Sequence, residues 1–335
     1  MNLTLDAEQE AIRDAIRDVL RDRMTSAHVR EVMATDTALD PAMWQTAGEL
    51  GWLGLAVPEA KGGAGYGIAE AMLLFVELGR TVAPGPWLGS VLAADALATC
   101  GAKELADVLA GKLRVAVVDA PAKTLPAEAR DVVDAGAAEA FLVLGADRVG
   151  WLHASEVGVE ATPSMDPTRR LGRVRLGGKG GTALDADAAR LRLLATVLAA
   201  AEAAGVAERT LEMSVEYGKV REQFGKPIGS FQAIKHRCAD MAVRAEVARS
   251  VVTYAAVVLD EGGADARHHV HVAKALATEA ALSNATDNVQ NHGGMGYTWE
   301  SDAHLFLKRA RALEHCFGSR SDHLDALSAP WRAAS

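Results

Sequence analysis

The sequence predicts a mostly α-helical fold in three parts: an N-terminal helical domain over residues 1–111, a reduced β-domain over 112–181, and a C-terminal helical bundle over 182–335. Composition is the first ground. Half of the residues are apolar but only 5% are aromatic, and the abundance of Ala and Leu suits helix packing better than a sheet sandwich. Periodicity is the second. From Asp185 onward, long stretches keep helical spacing and short breaks separate them, the pattern of an antiparallel four-helix bundle. The third is a change from Lys112 to about Gly181, where short β-type runs take over. A chain of 335 residues is ample for a sizeable core.

In chain order, Asp6 with Gln9 reads as a capping box, and Ile12, Ile16, Val19 and Leu20 mark one helical face. Asp40-Pro41 is an N-cap followed by proline at the first helical position, and its helix runs into Gly51. The glycines at 62 to 67 lack GxGxxG spacing and follow Pro58, so they form a tight structural loop. Helices follow over Ile68 to Leu78 and Ser90 to Cys100, separated by the Pro84-Gly85-Pro86 break. Strands are expected at Val115 to Val118, Phe141 to Leu144, Val149 to His153, Val157 to Thr162 and Arg173 to Leu176. Gly145 to Arg148 would form a hairpin loop. The bundle helices span roughly Asp185 to Lys219, Phe231 to Asp260, Asp265 to Asn291 and Ser301 to Ala312. A short last helix lies around Ser321 to Leu327.

Several function classes drop out. A formal charge of −9 argues against nucleic acid, which wants a basic face. Residues 7 to 23 carry Glu8, Glu10, Arg13, Asp14, Arg17, Asp18, Arg21 and Asp22 among their charges and leave no apolar core for a signal peptide. The most apolar run, Leu191 to Ala201, is too short for a bilayer, so the expectation is a cytoplasmic protein away from membranes. Cys100, Cys238 and Cys316 are isolated and indicate neither a disulfide framework nor zinc. His268, His269 and His271 converge poorly as metal ligands and read as surface histidines. Met213, Met241 and Met295 read as packing residues.

The richest stretch is Arg221 to Asp240, REQFGKPIGSFQAIKHRCAD, which joins two helical patterns. Ser230 is placed to cap the second of them. A helix start beside Arg221 could hold an anion such as phosphate, and Phe224 could cover a flat apolar part of the same ligand. A plain helix–turn–helix joint with a surface arginine is the alternative. Gln290 to Glu300, QNHGGMGYTWE, carries three glycines in four positions and would end a helix where backbone approaches something closely.

Arg221, Phe224, Gly225, Pro227, Ile228, Phe231, Gln232, Lys235, His236 and Met241 together spell RxxFGxPIxxFQxxKHxxADM. That word resembles the signature of the acyl-CoA dehydrogenases, and Gln290 to Tyr297 is similar to the family's QxxGGxGY segment. LGWLGLAVPE, ELGR and APGPWLGSVLAADAL resemble its N-terminal helical domain. The resemblance implies the acyl-CoA dehydrogenase fold and FAD as cofactor. It implies Arg221 on the FAD pyrophosphate, Phe224 against the adenosine half, Gln290 and Gly294 around the pyrophosphate, and Gln232 near the adenosine. The FAD so held belongs mainly to a neighbouring subunit.

Two departures qualify the likeness. The family removes a Cα proton from an acyl-CoA with a positioned Glu while hydride passes from Cβ to the flavin. Registering the GYTWE word places Phe317 where that Glu would stand. The alternative place on the first bundle helix falls near Ala195 or Thr196, and neither can serve. The words that hold the flavin ring are also missing between Ala116 and Leu152; Trp151 is followed by Leu-His-Ala. A chain with the ADP-end residues, but without ring words or base, resembles the short subunits of heteromeric α2β2 acyl-CoA dehydrogenases of actinobacterial steroid side-chain degradation. Ser164 to Val174 is also similar to those chains; Asp166, Arg169 and Arg170 there either face an acyl-CoA phosphate or lie in a solvated loop. The resemblance implies a partner chain carrying the catalytic Glu, a bulky acyl-CoA substrate, and electron-transfer flavoprotein or a similar acceptor. The rivals are a self-sufficient homo-oligomer using Glu314 or Glu300 as base, and a non-enzymatic scaffold.

Overall fold

The computed structural model describes residues 3–122, 124–178 and 180–334. In chain order its helices and strands are α1 (Ala7–Arg23), α2 (Ser26–Met33), α3 (Pro41–Glu49), α4 (Ile68–Thr81), α5 (Trp87–Cys100), α6 (Leu105–Leu109), β1 (Val115–Asp119), β2 (Glu128–Val133), β3 (Ala140–Leu144), β4 (Val149–His153), β5 (Gly158–Thr162), β6 (Leu171–Arg175), β7 (Thr182–Leu184), α7 (Ala188–Val220), β8 (Glu222–Gln223), β9 (Lys226–Pro227), α8 (Gln232–Asp260), α9 (Ala266–His292), α10 (Ala303–His315) and α11 (Arg320–Ala334). The chain divides into two compact units. One comprises residues 1–26, 72–83 and 196–335, the other 27–71 and 84–195.

In the second unit, two small sheets share one apolar core. β1, β3, β4 and β7 lie in that order, with β1 parallel to β3 and the other pairs antiparallel. β2, β6 and β5 form an antiparallel set. Val118, Phe141, Val143, Leu152, Val132 and Val174 pack between them. β2 was not expected from the sequence: it is charged, carries Asp131 at a φ of 55°, and is broken by a bulge between Ala129 and Val132. β7 is only three residues long and also escaped notice.

The helices of this unit are fitted by small residues and tied by polar ones. A Cβ on Gly89 of α5 would come within 2.2 Å of Val115 O, so glycine lets α5 lie directly on β1, and Ser90 Oγ accepts from Val115 N at 3.1 Å. Trp87 is buried, donates Nε1–H to Pro84 O at 2.9 Å, and meets Trp44 at 4.8 Å between ring centres. In the loop from Ser164 to Arg170 the side chains of Asp166, Arg169 and Arg170 are engaged within the chain, contrary to both sequence expectations. Arg169 is buried and donates to Gly85 O at 2.7 Å and to Asp134 at 2.8 Å. Arg170 gathers the carbonyls of Met33, Thr35, Asp36 and Pro167. Asp166 is buried and accepts from the Thr168 hydroxyl at 2.6 Å. These charges are spent on the protein's own carbonyls, carboxylate and hydroxyl groups.

In the first unit, α4 and α7 touch backbone to backbone. A Cβ on Gly79 would lie 2.0 Å from Glu202 O, and one on Gly205 would lie 1.9 Å from Val76 O. The ELGR word thus has a packing reason: Gly79 makes the crossing, buried Glu77 accepts from Arg17 at 2.7 Å, and Arg80 reaches Glu208 and Glu212. Beneath it, fully buried Arg309 of α10 donates to Glu202 at 2.5 Å and to Val82 O at 3.2 Å. α9 is the hub of the bundle and packs on α8, α10 and α11. The expected helix bounds hold to within a few residues, except that the last helix runs from Arg320 to Ala334, longer than anticipated.

Gly205→Ala should therefore destabilise the chain by about 1–3 kcal/mol, because the added methyl overpacks a backbone contact. Urea unfolding monitored by circular dichroism checks this; Gly136→Ala, whose Cβ would meet nothing within 4 Å, is the control.

Candidate functional site

The Arg221 word folds as a miniature hairpin set on the end of α7. Arg221 N still donates to Tyr217 O, as if the helix ran one residue further. β8 and β9 then pair Glu222 with Pro227 and Gln223 with Lys226, around the two-residue tip Phe224-Gly225. Both tip residues have positive φ, 55° and 77°, as a type I′ turn requires. Glycine takes that conformation freely, whereas Phe224 is strained there by about 1–3 kcal/mol. The strain displays the ring. Phe224 is 91% exposed and leans edge-on against Phe231 at 6.1 Å, while Lys226 Nζ sits 4.4 Å from the Phe231 ring centre. Gly229 packs on Gly218, with only 2.8 Å between a notional Cβ and Gly218 O, and that fixes the return of the hairpin.

Arg221, Gln232, Gln290 and Gly294 are all exposed, in the same unit as Phe224. Among the described residues the side chains of Arg221, Gln232 and Gln290 make no hydrogen bond or ion pair. Gly293 ends α9 with a φ of 59°, and Gly296 packs tightly on Val289 O, so both have local reasons to be glycine. Gly294 has none: its φ is ordinary and a Cβ there would meet nothing within 4 Å. One turn before Arg221, Tyr217 of α7 stacks on His292 of the second word, the rings 4.2 Å apart at an angle of 22°. A cation, two free amides, an exposed ring and an unobstructed glycine are a donor set suited to a diphosphate and a flat base.

Other expectations need correction. Ser230 does not cap α8; it closes a 3₁₀ turn with Ile228 and Gly229, and Phe231 holds the N-cap position with no side-chain bond. The chain reaches α8 through extended Phe231, which leaves the first turn open. Met241 is buried as expected, but Met295 is 41% exposed beside Tyr297 and Trp299, which are 78% and 61% exposed.

Phe317 lies between α10 and α11 at a φ of 55°. Glu314 is one turn earlier on α10, paired with Arg311 at 3.0 Å, and Glu300 is exposed. The residue that sequence reasoning missed here is a cation. Lys274 of α9 is fully buried and donates Nζ to Leu313 O at 2.9 Å and Gly318 O at 3.2 Å, bracketing Phe317; burial pulls its pKa down to about 8. The signal was available, since Lys274 follows Val270 and Ala273 and precedes Ala277 on the apolar face of α9. His271 is no surface histidine: its Nδ1 lies 2.7 Å from Nδ1 of buried His323 on α11. No group of three or more metal-ligating side chains occurs among the described residues.

An Nδ1–Nδ1 bond needs one donor and one acceptor, so the acceptor ring must stay neutral. Burial and the neighbouring Lys274 push His323 down to about 4, from an ordinary 6.5. The folded form therefore binds fewer protons than the unfolded one between those values, and stability falls as pH drops through that window. About 3 kcal/mol should be lost from pH 6.5 to pH 4 on this account, at 1.36 kcal/mol per unit. Urea midpoints across that range should show the slope, and His323→Phe should flatten it.

Comparison with known proteins places the chain in a family. Residues 6–113 match the acyl-CoA dehydrogenase N-terminal domain and residues 193–329 the acyl-CoA dehydrogenase C-terminal domain. Acyl-CoA dehydrogenase IpdE2 of Mycobacterium tuberculosis is 36% identical over 312 residues, 92% of each chain. A chain of the ChsE4–ChsE5 complex from Mycobacterium tuberculosis superposes with a TM-score of 0.90 at 27% identity, over 99% of both chains. A chain of the Tcur3481–Tcur3483 steroid ACAD gives 0.90 at 28%, over 99% of this chain and 100% of that one. No helix among the described residues is long and apolar enough to cross a membrane. The chain belongs to the acyl-CoA dehydrogenase family, FAD-dependent oxidoreductases acting on CH–CH bonds.

Proposed function

We propose that this chain is the non-catalytic subunit of a heteromeric acyl-CoA dehydrogenase, in which it completes the FAD site of a catalytic partner. The observation that carries the reading is the openness of the site. Arg221, Phe224, Gln290 and Gly294 are displayed outward, their polar groups are unengaged, and Gly294 is glycine for no reason internal to the chain. Ligand sites are normally concave and bury most of their ligand. An open face of this kind is half of a site, and the other wall comes from a second polypeptide. The complexes named above are two-protein systems, and likeness to them favours an unlike partner.

Arg221 would hold the pyrophosphate by charge-assisted hydrogen bonds, Phe224 would pack on the adenosine, and Gln290 with the Gly294 backbone would complete the cradle. Gln232, at the uncapped start of α8, would serve the adenosine side. FAD when bound supplies the hydride acceptor for dehydrogenation of the acyl Cα–Cβ bond. The partner would supply the Cα base, because Phe317 carries no proton acceptor and Lys274 is occupied by two carbonyls. The substrate would be a bulky acyl-CoA, with a steroid side-chain thioester favoured by the steroid ACAD likeness, and electrons would leave to electron-transfer flavoprotein or a similar acceptor.

Co-expression with a catalytic acyl-CoA dehydrogenase from the same gene neighbourhood tests the reading. Flavin absorbance and native mass should give about one FAD per pair of unlike chains, and Arg221→Ala should lower FAD affinity about tenfold or more. A yellow, active protein from this chain alone would defeat the proposal. Phe317→Glu in the isolated chain should yield no acyl-CoA oxidation with an artificial acceptor. A carboxylate there would also stand beside the turn that Lys274 clamps, where a cation lowers its basicity.

A further inference from the structure

We infer that Tyr217 and His292 are positioning residues for the cofactor cradle, locking its two halves into register; this rests on the FAD reading above. Arg221 directly follows α7 and Gln290 lies in the last turn of α9, and nothing in the covalent chain holds those ends together, since they are far apart in sequence. What joins them is a short chain of contacts. Ser214 Oγ of α7 donates to Asn288 Oδ1 of α9 at 2.9 Å, and Asn288 Nδ2 lies 3.8 Å from Met213 Sδ. His292 Nδ1–H donates to Asn288 O at 2.8 Å, the neighbouring turn of its own helix, and this fixes the tautomer and the plane of the ring. So oriented, the imidazole lies 4.2 Å above Tyr217 at 22°.

The spacing makes the pair consequential. Tyr217 is one turn before Arg221, whose N–H donates to Tyr217 O. His292 lies two residues after Gln290 and two before Gly294. A displacement at the stack is transmitted through one turn of helix to each half of the cradle. A bidentate cation and a backbone amide grip a diphosphate well only when their separation matches it, and a shift of about 1 Å weakens such a grip strongly. Replacement by any flat ring should preserve the separation, and removal of either ring should not.

The test uses the deflavinated complex of this chain with its catalytic partner, titrated with FAD and followed by flavin fluorescence, alongside thermal unfolding of the apo complex. Tyr217→Ala and His292→Ala should each weaken FAD about tenfold, close to the effect of Arg221→Ala, with the double variant no worse than either single one. Tyr217→Phe and His292→Phe should stay within about threefold of the native complex, since they keep the stack. Apo unfolding midpoints should barely move, which a merely structural role would not allow. Native affinity in both alanine variants, with Arg221→Ala still impaired, would overturn this inference and leave the cofactor reading standing. Native affinity in Arg221→Ala would overturn the cofactor reading itself. Equal losses in the phenylalanine variants would assign the effect to the hydroxyl or the Nδ1 bond and overturn the stack. If an alanine variant fails to assemble, Tyr217→Leu and His292→Gln fill the space without a flat pair; full affinity in those also overturns it.

Discussion

Three buried asparagines on α9 set the register of the bundle. Asn284 donates to Ala207 O of α7 at 3.0 Å and to Met241 O of α8 at 2.9 Å, and accepts from Arg244 at 2.8 Å. Asn288 and Asn291, one and two turns on, engage Ser214 of α7 and Arg237 of α8. A buried amide left unpaired costs on the order of 1–3 kcal/mol, so sliding any helix by one residue would strand several groups at once. An apolar Ala-rich interface tolerates many registers; this one tolerates a single register. The C-terminal ends of α7 and α9 lie side by side, held by these amides and, one turn further on, by the stacked rings of Tyr217 and His292.

The face at those ends is unusual for what it lacks. The tip at Phe224 is strained, the Arg221 guanidinium is exposed, and a Cβ on Gly294 would meet nothing. At the other functional position the trend is reversed. The turn around Phe317 is closed by Lys274 from beneath and by Ser319 with Asp322, whose carboxylate accepts from the Ser319 backbone at 2.8 Å. One place stands open, while the other is a structural joint. This asymmetry is what a division of labour between unlike subunits would produce.

Charged residues in the second unit show why reactive-looking side chains mislead in a sequence. Arg169 and Arg170 stand in a loop that resembles that of the heteromeric relatives, and a phosphate contact was a natural expectation. Both are consumed by backbone carbonyls of distant segments, from Met33 to Gly85. Nothing local in a sequence announces which carbonyls lack a partner. The same holds for His271, whose partner His323 lies 52 residues further on.

Local chemistry is what the sequence determined. The Asp6 and Asp40 caps, the helix bounds other than that of α11, the glycine loop and the β3–β4 hairpin follow from nearest-neighbour physics, and the structure holds them. The two family words were also legible, because each is written in neighbouring residues and needs no folding to be read. Tertiary structure decided whatever depends on pairs far apart in the chain. It set the bulged, charged β2 into a sheet, buried Lys274 and Arg309 against carbonyls and Glu202, and turned Gly79 and Gly205 into a helix crossing. It also decided that Arg221, Phe224, Gln290 and Gly294 remain uncovered. Exposure is a property of the whole packed molecule, since a side chain is open only where every other segment has gone elsewhere.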